Sequence, residues 1–549
     1  MKVLGVSLGH DSSACLIEDG KVVRYTQEER FSRVKVGVNG ALNAIKFCLG
    51  DYRIEDMDSI AISNGIVKSL VPHFQAAFKA QSTVGVPLCA RDIGFEVEKI
   101  TQIDHHEAHA GSAYYTSGFD KALIITIDGV GEDTSILVAE GIGKKIVPLY
   151  MVKKTGVYLR QKNGVFRAHT FREDRILSLG WFYGMVTEAL GWRICCDEGK
   201  TMGLAPYGDP NVVPYKDMIS PMYRYTPTGY YHNDGKVYYH FEGAYSYRKL
   251  AETYGRENLA ASAQKILEDK VLRMVGKWLK RTGHTNLCTA GGIFLNVKLN
   301  QKIAEKWPTL SYWPFPLASD CGVSLGVGLV EYHKKTNLEY KPERIKHIYF
   351  GSQYSNEQIK GILDRNKLKY RAYSVDEIAK ALADNKIVAW FQGCMEAGPR
   401  ALGGRSILMS PLKAENKDTI NKFVKFREGF RPFCPSVIEE AADRYFDGGG
   451  EYMITACRVK TQDIPAVTHV DGTARPQRLK KEANPRFYEL LEKFGEITGH
   501  PVLLNTSFNV MGEPIIRTPE EAMRCFYGVG IDFLVIGDFV LQKDGEGVQ

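Results

Sequence analysis

Several things are scarce in this chain of 549 residues, and each scarcity closes off a class of protein. No stretch approaches the roughly 18 consecutive apolar residues of a membrane span. Met1–Gly9 is apolar too briefly for a secretory leader and runs straight into His10-Asp11, so a cytoplasmic protein that engages no membrane is expected. Charge of one sign is missing too: 71 Lys and Arg against 64 Asp and Glu leave only +7. The basic residues form no long blocks, so no nucleic-acid partner is expected, while the slight positive balance suits small anions such as phosphates. The eleven cysteines are scattered. Cys195-Cys196 are adjacent and no pair has C-x-x-C spacing, which removes zinc knuckles and leaves reduced thiols. There is no low-complexity tract and no short repeat. What remains is an ordinary globular composition, 44% hydrophobic and 25% charged, long enough for several domains or two large ones.

What is present begins with His105-His106-Glu107-Ala108-His109. On a helix, His105 and His109 share one face with Cβ atoms about 6 Å apart, close enough for both rings to close on one ion. The spacing is not the H-E-x-x-H of zinc proteases, because after His106-Glu107 the next histidine arrives one residue early. The strand Ala122–Asp128 that follows is apolar until it delivers a carboxylate, with Gly129, Gly131 and Asp133 behind it. Two imidazoles and a carboxylate suit a divalent transition metal with open positions; a solvated or core helix face is the other reading of such a pair.

Strand and turn signals alternate around this motif. Lys2–Leu8, Ala14–Glu18 and Lys21–Thr26 read as strands, with Asp19-Gly20 a hairpin turn. Gly9-His10-Asp11-Ser12-Ser13 is a polar loop of the kind that offers N–H groups to phosphate. Strand and Gly-rich turn recur at Ala122–Asp133. Thr285–Thr289 is a short strand that breaks at Gly291-Gly292 before a helix over Phe294–Ala304, and paired glycines there let backbone approach a nucleotide. Asp320 precedes a Gly-rich helix start. This order points to an α/β protein with a duplicated actin-like fold. Tyr207–His240, rich in Tyr, Pro and Gly, is expected to be irregular and to contact substrate; Lys334–Lys346, charged and carrying Pro342, reads as a linker.

A second α/β pattern starts near Ile348, with a helix over Val375–Asn385 and a strand over Lys386–Phe391. Then comes Met395–Leu408, where Arg400 and Arg405 stand in a glycine-rich turn. Glycines expose N–H donors and guanidinium forks grip phosphate bidentately. Lys422, Lys425, Arg427 and Arg431 follow, and Asn505-Thr506-Ser507 closes the strand that starts at Pro501, where open α/β sheets bind ligands. Surface charge explains any one of these residues better than it explains the cluster.

Over nearly its whole length the chain resembles the O-carbamoyltransferases of the nodulation and cephem/aminoglycoside type. The matching stretches are Gly5–Ala14, Glu28–Lys35, His105–His109, Asp128–Asp133, Glu198–Gly208, Gly291-Gly292, Met395–Leu408, Arg427–Ser436 and Asn505–Pro514. The resemblance implies a Kae1-like domain over residues 1–340, a linker over 341–349 and a YrdC-like α/β domain over 350–549. It implies that the C-terminal domain makes carbamoyl adenylate from carbamoyl phosphate and ATP, and that the N-terminal domain transfers the carbamoyl group to an alcohol of a small-molecule natural product, releasing AMP. Carried over by residue, His105, His109, Asp128 and Asp320 are the metal ligands, with iron(II) the family's metal; the donor set alone also admits manganese or zinc. His10 is placed near the acceptor hydroxyl as a proton acceptor. Lys35, Gly129, Gly131, Gly291 and Gly292 are placed at the adenylate. Arg400, Arg405, Lys422 or Lys425, Arg427, Arg431, Asn505 and Ser507 are placed at carbamoyl phosphate and ATP, with His10, Lys35 and Arg405 as the catalytic groups. A homodimer is the expected assembly. Two rival readings use the same residues: a threonylcarbamoyl-type tRNA-modifying enzyme, and a non-catalytic nucleotide-binding module of actin-like fold.

Overall fold

The computed structural model describes residues 1–37, 40–63, 100–153, 157–162, 165–170, 178–220, 227–233 and 236–543. They fall into two units, Met1–Ile345 and Lys346–Gln549.

The first unit is built on a repeated sheet. Strands β1 (Lys2–Ser7), β2 (Ser13–Glu18), β3 (Lys21–Gln27), β4 (Ser59–Ser63) and β5 (Ile100–Gln102) lie in the order β3-β2-β1-β4-β5. β1, β2 and β3 form an antiparallel meander, while β4 and β5 add on parallel to β1. The second sheet contains β6 (Lys121–Gly131), β7 (Thr134–Ile142), β8 (Lys145–Lys153), β9 (Val157–Lys162) and β10 (Val165–Thr170). A separate antiparallel ribbon, β11 (Pro227–Asn233) with β12 (Lys236–Phe241), precedes β13 (Asn286–Ala290) and β14 (Ser311–Pro314). In that second sheet β8-β7-β6-β13-β14 repeats the order and the directions of the first, with β9 and β10 extending one edge. Two copies of one mixed five-stranded topology make this the duplicated actin-like fold that the sequence predicts.

Local chemistry sets the turns. Asp19 and Gly20 take φ of +48° and +79°, the left-handed pair of a two-residue hairpin whose twist matches the strands it joins. The helix expected over Phe294–Ala304 is interrupted. A 3₁₀ turn, Gly292–Leu295, stops at Asn296, whose side chain accepts the Leu299 N–H (3.0 Å) and caps the helix Val297–Lys306. Tyr207–His240 is irregular only in part: residues 208–214 have no helix or strand, but Tyr215–Ile219 is a short helix and β11 pairs with β12, a hairpin signalled by the aromatic runs on either side of Asp234-Gly235. The expected substrate contact also falls partly on residues 221–226 and 234–235, which lie outside the described residues.

Glycine controls how the helices His105–Tyr115 and Val323–Lys335 meet. A Cβ on Gly326 would lie 1.9 Å from the Ala108 carbonyl oxygen, and one on Gly111 would lie 2.4 Å from a Val330 methyl. The same helix presses on β1, where a Cβ on Gly5 would lie 2.1 Å from Ser324 O. Gly326→Ala is therefore expected to lower the unfolding free energy by about 1–3 kcal/mol through overpacking. Gly361→Ala, in the helix Asn356–Arg365 where an added Cβ meets nothing, should instead stabilise by about 0.5–1 kcal/mol. Urea unfolding midpoints of the two variants check the contrast.

In the second unit the sheet order is β15-β24-β23-β16-β17-β22-β18-β21, with β15 (Arg371–Ala372), β16 (Val388–Phe391), β17 (Arg405–Met409), β18 (Cys434–Ile438), β21 (Gln477–Leu479), β22 (Val502–Ser507), β23 (Phe533–Ile536) and β24 (Phe539–Gln542). Strands β19 (Cys457–Arg458) and β20 (Thr473–Ala474) form a small ribbon beside it. Strand alternation sorts the core onto two faces. Ala389, Phe391, Ile407, Met409 and Leu504 pack with Ile359, Leu363 and Phe526 on one side. Val388, Trp390, Leu408 and Leu503 pack with Ile378, Leu382 and Leu490 on the other. A mixed sheet with helices on both faces is the α/β architecture expected here. The segment expected as a linker is held at both ends: Ile345 N–H donates to Thr116 O (3.0 Å) in the first unit, and Tyr349 OH donates to Leu402 O (2.7 Å) in the second.

Candidate functional site

The helix His105–Tyr115 starts at Asp104, whose carboxylate accepts the N–H groups of His106 (3.0 Å) and Glu107 (3.2 Å). That cap sets the phase of the histidines. His105 and His109 point at Asp128, which stands where β6 slips register between Ile127 and Gly131. A break in the ladder re-aims a side chain that would otherwise follow the strand alternation. Asp320 arrives from the 3₁₀ turn before the helix Val323–Lys335.

The four side chains converge. His109 Nε2 lies 3.1 Å from His105 Nε2, 3.2 Å from Asp128 Oδ2 and 3.4 Å from Asp320 Oδ1. His105 Nε2 lies 3.3 Å from Asp128 Oδ2 and 3.4 Å from Asp320 Oδ1. These five separations match the edges, about 3.3 Å, of a tetrahedron whose centre binds N and O donors at about 2.0–2.1 Å, and all four donor atoms lie within 4.8 Å of one another. Burial alone would raise both carboxylates, but the imidazoles outweigh it: Asp128 is held down to about 2 and Asp320 well below its usual range. Burial conversely opposes charge on His105, yet Asp320 and Asp128 draw it well above its ordinary value. The site demands positive charge, and a divalent cation fits the donor set, its burial and its spacing.

His106 does not join. Its Nε2–H donates to Thr134 O (2.9 Å), and its Nδ1 accepts from Thr126 Oγ1 (2.6 Å). Burial and the neighbouring histidines push it down to about 3, so it is a neutral core group. His10 stands at the rim, its Nε2 3.4 Å from Asp320 Oδ2, the oxygen pointing away from the histidine pair.

The glycines placed at the adenylate also shape the cation site. Gly129 N–H donates to Asp128 Oδ1 (2.7 Å), which leaves Oδ2 for the histidines. A Cβ on Gly131 would lie 2.1 Å from the His105 ring, and one on Gly291 would lie 2.2 Å from Ile127 O. Both are glycine because protein occupies that space. Gly292 is looser, its Cβ position being 3.0 Å from Asp128 Oδ1. Lys35 is half-buried, with its carbonyl accepting from Arg193 Nη2 (3.0 Å).

The second unit gathers its polar residues at one end of β22. Lys425 is 3% exposed. Its ammonium donates to Ser507 O, Asn509 O (3.0 Å) and Asn509 Oδ1 (2.8 Å), and lies 3.4 Å from Ser507 Oγ. Lys422 is exposed and rests over the ring of Phe423; of the two lysines only Lys425 meets Ser507. Arg427 bonds Asn421 Oδ1 (2.9 Å) and stacks on Phe433. Burial first and then Arg431 push the Arg427 guanidinium down to about 9, so this pair favours an anion. Arg431 has Glu428 at 3.8 Å. Arg475, which the sequence reading missed, reaches Cys434 Sγ (2.8 Å) and adds to the same field. Cys434 pairs in register with Asn505, whose Nδ2 donates to Ser436 Oγ (2.9 Å) and Ala401 O (3.2 Å).

Two expectations for the Met395–Leu408 turn need correction. Three of its N–H groups are not open to phosphate: those of Leu402 (2.6 Å), Gly404 (3.1 Å) and Arg405 (3.2 Å) all donate to Glu396 Oε1. Arg405 is not an anion-gripping arm. It is 0% exposed, and its Nη groups donate to the carbonyls of Ser352, Gln392, Gly393 and Gly404 at 2.9–3.3 Å while the guanidinium stacks on Phe391. Arg400, half-buried in the same turn, is the arginine of the pair that keeps surface.

Residues 88–329 match the family described as Carbamoyltransferase N-terminus, and residues 379–543 match Carbamoyltransferase C-terminus. The chain is 33% identical to the nodulation protein NolNO of Sinorhizobium fredii, covering 97% of this chain and 79% of that one. It is 35% identical to the nodulation protein NolO of Bradyrhizobium diazoefficiens, covering 81% and 80%. An uncharacterized protein of Synechocystis is 32% identical over 99% of this chain and 97% of its own length. The chain belongs to the carbamoyltransferase family and is an enzyme of carbamoyl transfer. Among the described residues no helix is long and apolar enough to cross a membrane.

Proposed function

We propose that this enzyme is an ATP-dependent O-carbamoyltransferase with one step in each unit. The observation that carries the reading is that each unit has its own site of opposite character. The first has a buried imidazole–carboxylate group that demands a cation, and the second has Lys425 and three arginines around the end of β22.

In the second unit, Lys425, Arg427, Arg431 and Arg475 balance the charge of carbamoyl phosphate and of the ATP phosphates, with Arg400 and Ser507 as further donors. Water and carbamoyl phosphate give carbamate and phosphate. A carbamate oxygen then attacks the α-phosphorus of ATP, the bond to the β-phosphate oxygen breaks, and pyrophosphate leaves with carbamoyl adenylate formed. In the first unit, an alcohol oxygen attacks the carbamoyl carbon, the bond to AMP breaks, and the hydroxyl proton passes to His10 Nε2. His105, His109, Asp128 and Asp320 would hold a divalent cation, iron(II) by family resemblance, which supplies Lewis-acid stabilisation of the departing phosphate charge. The acceptor is an alcohol on a small-molecule natural product.

The test needs only purified protein, ATP and carbamoyl phosphate. Pyrophosphate release that requires both substrates and no tRNA is the expected result. No pyrophosphate would end the adenylation reading; release that required tRNA would move the enzyme to nucleic-acid modification.

A further inference from the structure

Asp11 has no role in the reaction drawn above, yet it stands half-buried at the centre of a polar chain. Its backbone takes φ of +57°, a region that Asp and Asn enter far more readily than other side chains. Asp11 Oδ2 accepts from Ser319 Oγ (2.9 Å) and from Cys321 N–H (3.2 Å), the two residues on either side of Asp320. Asp11 Oδ1 accepts from Gln27 Nε2 (2.9 Å). Gln27 Oε1 accepts from Arg30 Nη2 (2.8 Å), Arg30 Nη1 lies 3.0 Å from Glu29 Oε1, and Glu29 Oε2 accepts the N–H of Val36 (2.9 Å), next to Lys35. Gln27, Glu29 and Arg30 are all buried, and Glu29 and Arg30 belong to the Glu28–Lys35 stretch. The Asp320 turn is tied to the first sheet a second way, because Cys321 O accepts from Ser13 Oγ (2.8 Å) and Tyr25 OH (2.7 Å).

We propose that Asp11 is a positioning residue for the cation site: it bridges Ser319 and Cys321 so that Asp320 faces His105 and His109, and through Gln27, Arg30 and Glu29 it couples that turn to the segment carrying Lys35. The inference rests on the proposal that the four converging side chains hold a divalent cation. Partners one bond removed from a metal ligand are worth 10–100-fold in affinity when they fix its orientation. Asp11 accepts from the Ser319 hydroxyl on one side of Asp320 and from the Cys321 N–H on the other, so its effect falls on where that carboxylate sits.

The probe is Co²⁺, titrated into the full chain and followed by its visible absorption and by competition with a chelator. Asp11→Asn keeps the size and tolerates the left-handed backbone, but one of its two terminal atoms becomes a donor where three donors already converge. It is expected to bind Co²⁺ about 10–100-fold more weakly, with an altered absorption band. Ser319→Ala removes one donor to the same oxygen, so its effect and that of Asp11→Asn should add to less than their sum. Glu28→Gln is the control. Glu28 is buried in the same turn but bonds Asn43 Nδ2 (2.6 Å) and Ala44 N–H (2.8 Å) instead, and affinity should stay within about twofold, the spread expected of an uncoupled site. Wild-type affinity in Asp11→Asn, or equal losses in Asp11→Asn and Glu28→Gln, overturns the inference. If wild type and His109→Ala bind Co²⁺ alike, it is the cation reading itself that fails.

Discussion

Replacing Arg405 with methionine is expected to lower the stability of the second unit by about 3–5 kcal/mol, the cost of leaving several buried carbonyl acceptors short of a donor. The guanidinium bonds four backbone carbonyls, and no carboxylate is among those partners. Each carbonyl left short inside the sheet costs about 1–3 kcal/mol, and water entering the vacated space recovers part of that. Burial already pushes Arg405 down to about 10, so the site holds a charge it does not stabilise well, in exchange for joining Ser352 to the Gln392–Gly393 turn and to β17. Arg405→Lys should restore little, since one ammonium on a flexible stem does not reproduce a planar fork with donors in two directions. Trp390, buried on β16 with its indole N–H on Gly403 O, reports the transition by fluorescence during urea unfolding. A variant that unfolds at the wild-type midpoint yet releases no pyrophosphate would return Arg405 to the anion site, where the sequence reading put it.

That reassignment shows where the sequence stops being legible. Arg400 and Arg405 look equivalent in a glycine-rich turn, because the sequence lists donors without saying which are already used. Glu396 was visible in the same motif, but its capture of three N–H groups depends on the turn closing around it. Lys422 and Lys425, three residues apart, would share a face on a regular helix. Here a π-turn over Asn421–Lys425 ends at Phe426 with φ of +47°, and the extra residue in the turn shifts the phase so that Lys425 faces in and Lys422 out. Arg475 carries no motif and reaches the site only through the pairing of β18 with β21 and β22.

Legibility was high where chemistry and period coincide. The strand that ends in Asp128 and the histidines four apart could be read from spacing, and they meet within 3.4 Å. Asp320 could not be found that way. It lies nearly two hundred residues downstream, and only the resemblance placed it with the others. The duplicated fold was readable because each half opens with a strand, a glycine-containing turn and a second strand. The identical strand order of the two sheets then follows from one topology used twice. His106 was not separable from its neighbours in the sequence; the partner for each of its nitrogens comes from β6 and β7.

His109→Ala is expected to separate the two half-reactions. The ring is 0% exposed and places its Nε2 within 3.4 Å of each of the other three groups of the cluster. Its loss leaves one imidazole facing two carboxylates, with a cavity where the fourth donor stood. Carbamoylated product, detected by mass spectrometry in a reaction supplied with the source organism's metabolite pool, should fall about a thousandfold or more, some 4 kcal/mol of transition-state stabilisation. Pyrophosphate release driven by carbamoyl phosphate should stay within about twofold, because among the described residues His109 shares no bonded partner with the residues of the second unit's anion site and independent sites add without coupling. The cation itself provides the second measurement. A ligand at a hundred times its dissociation constant stabilises the state that binds it by about 2.7 kcal/mol, so Co²⁺ should raise the melting temperature of the wild type, a chelator should reverse the rise, and His109→Ala should respond to neither. Equal loss of both half-reactions would mean that adenylation also depends on this cluster, and a persistent Co²⁺ shift in the variant would place the cation elsewhere. The arrangement of charge argues for the separation: a group held this negative until a cation arrives suits the stabilisation of a leaving phosphate, whereas capture of carbamoyl phosphate calls for the arginines and Lys425 of the other unit.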